Sequence, residues 1–119
     1  MKKFFAAIVF ALFVAATSSA SASDVFAFSQ DGIDFYVTGN SGGGTLSYTN
    51  AVVGIVVGYN NNKPIGTTIW VFGYQPRPPH KVEVMMYDEN KKLLAQCLLD
   101  EDEIAQKVLA ATLAKGKQG

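Results

Sequence analysis

The stretch that decides the fold is Val82–Gly116, "VEVMMYDENKKLLAQCLLDEDEIAQKVLAATLAKG". Its first half alternates with a period of two and its second half with a helical period. A turn centred on Asn90-Lys91 pairs residues whose numbers sum to 181, so Val82 faces Leu99, Val84 faces Cys97 and Met86 faces Ala95. Those six side chains form one apolar face. Lys81, Glu83, Met85, Tyr87, Gln96 and Leu98 form a mixed one, and a slip of one residue would exchange the two sets.

The acidic run then opens a helix. Asp100 is the expected N-cap, with Glu103 three residues on as in a capping box. Lys115 suits the carboxyl end of the dipole, and Gly116 is placed to close the helix. At 100° per residue Ile104, Ala105, Val108, Leu109, Thr112 and Leu113 share one half of the helix, while Gln106, Lys107, Ala110 and Ala114 share the other. The apolar half must be buried, and the preceding hairpin is the nearest surface for it.

Working outward, "DVFAFS" and "IDFYVT" alternate around Gln30-Asp31-Gly32, a hairpin signature. "GNSGGG" (residues 39–44) reads as a mobile loop and "TLSYT" (45–49) alternates again. "AVVGIVVGY" (51–59) is almost continuously apolar and β-branched, which fits a central strand covered on both faces. "NNNKP" is a turn and "IGTTIWVFGY" (65–74) a further strand. The expected fold class is α+β, a meander-like antiparallel sheet of about six strands packed against one C-terminal helix.

The chain begins "MKKFFAAIVFALFVAATSSASAS". Lys2 and Lys3, an apolar run from Phe4 to Ala16 and the Ala20-Ser21-Ala22 pattern have the layout of a secretory signal peptide, with cleavage expected after Ala22. The run is shorter than the roughly 20 residues a membrane span needs. Residues 23–119 then form a single domain with no membrane span, periplasmic, cell-surface or secreted. They carry eight basic side chains against ten acidic ones. No basic stripe suited to nucleic acid is present. Cys97 is the only cysteine, so no internal disulfide forms and the fold rests on its apolar core.

Catalytic and cofactor readings find little support. The carboxylates from Asp100 to Glu103 splay around a helix axis, whereas Ca²⁺ needs converging oxygens. "GNSGGGT" lacks the lysine of a phosphate loop and leads into a strand. One histidine excludes a multi-His zinc site. In the register above, Cys97 lies about 13 Å from His80, beyond proton-transfer reach. No cofactor is expected. "VVGIVVGY" would be prone to aggregate if exposed, and a core strand is the simpler reading.

"YQPRPPHK" (residues 74–81) holds three of the four prolines, the only arginine and the only histidine. Prolines between strands stiffen a loop and block further pairing. Tyr74, Arg77, His80 and Lys81 nevertheless gather a basic and aromatic edge on an acidic domain, and they are the candidate interaction surface.

"DVFAFSQDGIDFYVT" at the start of the mature chain and "HKVEVMMYDENKKLLAQ" before an acidic-capped helix give an order of features similar to small exported bacterial proteins of the surface-adhesin E type. The resemblance implies an antiparallel sheet on a C-terminal helix and, in some members, binding of host extracellular proteins. This chain has one cysteine where the family has a pair, and its Trp70 falls away from the family's tryptophan positions, so no binding residue is carried over. The expected function is that of a small exported, non-catalytic domain binding an unknown protein or extracellular ligand. A small periplasmic enzyme or enzyme inhibitor, and a structural subunit assembling through a sheet edge, are the alternatives.

Overall fold

The computed structural model describes residues 23–118. The expected signal peptide, residues 1–22, lies outside them. Six strands, β1 (Val25–Gln30), β2 (Ile33–Ser41), β3 (Val52–Asn60), β4 (Lys63–Tyr74), β5 (Val82–Tyr87) and β6 (Leu93–Leu98), form one antiparallel meander in sequence order. A single 3-10 turn (Leu99–Glu101) leads into the helix α1 (Glu103–Gly116). The α+β arrangement of sheet and terminal helix is therefore the one the sequence pattern implies.

Turn chemistry sets the two tight hairpins. Asp31 and Gly32 have φ of 53° and 82°, and Asn61 and Asn62 have 52° and 65°. Two consecutive left-handed residues twist the chain in the sense that paired strands require. The β5–β6 turn is closed by Asp88, whose carboxylate accepts from the Asn90 and Lys92 amides at 2.8 and 2.9 Å. Val84 faces Cys97 and Met86 faces Ala95, as the sum of 181 requires. Val82 pairs instead with Tyr74, because Leu99 has already turned into the 3-10 segment.

Alternate residues of each strand point to the side of the sheet on which α1 lies. Gly54, Trp70 and Met86 are neighbours on the inner face, and a Cβ added to Gly54 would collide with Thr112 of the helix. Around them Phe35, Val37, Val52, Val56, Phe72 and Val84 are buried with Ile104, Ala105, Val108 and Ala111. The indole Nε1–H of Trp70 donates to Thr68 Oγ1 at 2.7 Å, so neither buried polar group opposes the apolar packing.

The sheet curls around the helix. Phe28 of β1 and Ile104 line one surface hollow, and Val82 of β5 and Gln106 line another. In a flat sheet β1 and β5 would stand about 19 Å apart, more than the roughly 10–12 Å breadth of a helix. Bulges at Ala27, Thr38, Ile65 and Leu94 supply the bending.

Five expectations need correction. The helix N-cap is Asp102, which accepts from the Ala105 amide at 3.0 Å; Asp100 belongs to the 3-10 turn. Helix α1 packs on β1, β2 and β3 rather than on the β5–β6 hairpin, because Gly54 leaves the groove that Thr112 fills. Thr45–Thr49 is not a strand but a turn closed by reciprocal Ser47 and Asn50 backbone bonds. Gly39–Ser41 extend β2, and the Asn40 amide donates to Gly43 O and Thr112 O at 3.0 and 2.8 Å, so the glycine segment is tied to the helix. Gly116 lies within α1 with the Gly43 backbone packed where its Cβ would be, which accounts for the glycine without a left-handed cap.

Candidate functional site

Tyr74 closes β4, and the seven residues after it form a compact loop rather than an extended proline ribbon. The Gln75 amide donates to the Lys81 carbonyl at 2.8 Å, and the His80 amide donates to the Arg77 carbonyl at 2.9 Å. His80 adopts φ 56°. Its Nδ1 lies 3.1 Å from the Gln75 carbonyl, which can only accept, so Nδ1 carries a proton in this contact. The ring is thereby fixed with Nε2 on its far side.

A residue the sequence reading did not select completes the cluster. Tyr48 packs its ring 4.5 Å from Tyr74 and 5.4 Å edge-on from His80, centroid to centroid. It is nevertheless 71% exposed. The turn that carries it is held by Asn50, whose amide donates to the Gly42 and Thr45 carbonyls at 2.7 and 2.8 Å. Reading "TLSYT" as a strand hid Tyr48; the Ser47–Asn50 tetrad, rich in turn-forming residues, was the available signal.

Beside these rings runs a groove of about 320 Å³ lined by Tyr74, His80, Lys81, Val82, Leu99, Asp100 and Gln106. Its floor is apolar through Val82 and Leu99. Its rim carries the Lys81–Asp100 ion pair at 3.0 Å and the Gln106 side chain, which donates to Leu99 O at 3.1 Å. Both members of the ion pair are about half exposed, so it orients the rim more than it stabilises the fold. Three of the four selected residues, Tyr74, His80 and Lys81, line this groove. Arg77 does not; it is exposed at the loop tip.

The acidic run serves local structure. Asp100 pairs with Lys81, Glu101 accepts from the Leu98 amide at 3.0 Å, and Asp102 caps α1. Three carboxylates thus address three different partners. The site offers aromatic faces, an apolar floor and one salt-bridged rim, a composition suited to holding a partner surface. No family model, curated protein or solved structure matches the chain.

Proposed function

We propose that the chain is an exported, non-catalytic binding domain of the cell envelope or surface, and that it holds a protein partner through Tyr48, Tyr74, His80 and the adjoining groove. The exposed Tyr48 ring, braced by Tyr74 and His80 on a turn pinned by Asn50, carries this reading. An ordered aromatic ring outside the core gains little from folding, yet it is pre-organised for contact because its ordering cost is met before binding. Tyrosine is among the residues most often found to dominate interface energies. The leader-like first 22 residues support delivery outside the cytoplasm, and the resemblance to surface-adhesin E proteins agrees with a binding role there.

The test is to recover the protein from its native cells, identify the protein that co-purifies, and measure its affinity for variants. Tyr48→Ala and His80→Ala should each weaken binding by about tenfold or more, whereas Lys63→Ala on the distant β3–β4 turn should change it little. Unchanged affinity in both site variants would refute the assignment. So would a hydrolytic activity that vanishes when a carboxylate pair is replaced.

A further inference from the structure

The groove beside Tyr74 has a chemical bias that narrows what it takes. His80 Nδ1 is committed to the Gln75 carbonyl, so in the neutral ring the open nitrogen, Nε2, is an acceptor. The Gln106 amide nitrogen donates to Leu99 O, which leaves the carbonyl oxygen Oε1 for a ligand. Asp100 receives Lys81 Nζ on Oδ2. Among the described residues none donates to His80 Nε2, Gln106 Oε1 or Asp100 Oδ1. Apart from Lys81 and the tyrosine hydroxyls, the groove therefore offers acceptors. Lys81 opposes this only weakly, because its pair with Asp100 is about half exposed on both sides and exchanges with competing ions. The exposed Glu101 and Glu103 follow Asp100 in the chain, whereas Arg77 does not line the groove, so this end of the site draws cations.

We infer that the groove takes an arginine side chain presented by the protein partner. Its guanidinium lies against the Tyr48 ring and donates to the acceptors of Asp100, His80 and Gln106, and its methylenes rest on Val82 and Leu99. The inference rests on the partner-binding reading of the tyrosine site. The Tyr48 ring is 71% exposed and braced by Tyr74 and His80, so a ring face is held ready at the groove. A cation over a tyrosine face is attracted by the negative face of the ring. Arginine fits better than lysine because its planar fork reaches several acceptors at once and stacks on the ring. The apolar floor suits its stem, which can be buried while the charged head stays at the polar rim. An acidic side chain would instead face Asp100 and two further acceptors with no donor of its own.

The test titrates the isotope-labelled exported chain with the blocked tripeptide acetyl-Gly-Arg-Gly-amide and follows the amide signals by NMR. The probe should shift Tyr48, His80, Asp100 and Gln106 with a dissociation constant of about 1–10 mM, the scale of one side chain making a few exposed contacts. The citrulline tripeptide keeps the shape without the charge and should bind at least about tenfold more weakly. Lysine and glutamate tripeptides should also bind more weakly than arginine. Tyr48→Leu should weaken the arginine probe by about threefold or more, whereas Tyr48→Phe, which keeps the ring face, should leave it nearly unchanged. Lys81→Gln should strengthen it about two- to fivefold, because the lysine competes for Asp100; a merely structural lysine would give no gain. Equal binding of the arginine and citrulline probes would overturn the inference. So would tighter binding of lysine or glutamate, or shifts confined to Glu101 and Glu103 that persist in Tyr48→Leu. A native partner lost in Tyr48→Ala with no arginine probe in the groove would refute the arginine assignment and leave the partner site standing. A probe that binds as expected, beside a native partner insensitive to Tyr48→Ala and His80→Ala, would support the arginine groove and refute the partner site.

Discussion

Gly54 of β3 and Thr112 of α1 share one space: a Cβ on the glycine would overlap the threonine Oγ1, which donates back to the Val108 carbonyl at 2.8 Å. This contact fixes where the helix lies on the sheet. It also brings the Thr112 carbonyl within 2.8 Å of the Asn40 amide, which ties the end of β2 to the helix.

Gly54→Ala should therefore lower stability by about 1–3 kcal/mol, the usual cost of forcing atoms into a filled core. For a domain of this size that corresponds to a fall in Tm of several degrees, on the order of 4–8 °C per kcal/mol. Thr112→Ala in the same chain should restore part of the loss, since the two sites share the crowded volume and their effects are not additive. Thermal unfolding of the single and double variants measures both.

Asp102 and Asp100 should differ sharply. Asp102 is 1% exposed and caps α1, so Asp102→Ala removes a helix cap and should cost about 1–2 kcal/mol. Asp100 makes only the exposed bond to Lys81, so Asp100→Ala should cost less than about 1 kcal/mol. Urea unfolding curves distinguish the two, and equal losses would contradict the assignment of the cap.

Tyr59 is 6% exposed, and burial, with smaller contributions from Asp24 and Tyr36, raises its phenol above the ordinary value near 10. The folded state holds this proton more tightly than the unfolded chain does. The resulting stability is fully present below about pH 10 and is lost as pH rises through the folded value. A spectrophotometric titration should show one late-ionising tyrosine that Tyr59→Phe removes, and that variant should lose less stability between about pH 9 and pH 11.

Asn50 should matter to binding without touching the partner. Asn50→Ala removes two bonds from the turn bearing Tyr48 and should cost about 1–2 kcal/mol of stability. It should also weaken partner binding while the folded fraction stays high, because the ring loses its fixed position. Binding that is unchanged in a folded Asn50→Ala chain would show that the turn does not position Tyr48 for contact.

What was legible in the sequence follows from how local each signal is. The period-two runs of β1, β2, β5 and β6, Asp31-Gly32 and the pairing of Val84 with Cys97 depend on near neighbours along the chain, and these appear in the structure, whereas the short alternation of Thr45–Thr49 gives way to a turn. The helix cap was misplaced by two residues because Asp100 and Asp102 are equally good caps locally. The 3-10 turn that decides between them depends on Glu101 reaching the Leu98 amide. The choice of sheet surface for α1 rests on inward glycines of β3, and which glycines point inward is known only once four strands are in register. Tyr48 joined the site through space, 26 residues before Tyr74 in the chain and 4.5 Å from it in the fold. Arg77 lies in the right segment but is exposed and does not line the groove.

The most direct test of the binding function places a photoreactive phenylalanine analogue at position 48 of the exported chain in its native cells, with position 63 as the control on the distant turn. The account predicts that irradiation joins position 48 to a discrete second protein and that position 63 captures none. Capture from position 63 with nothing from position 48 would contradict it.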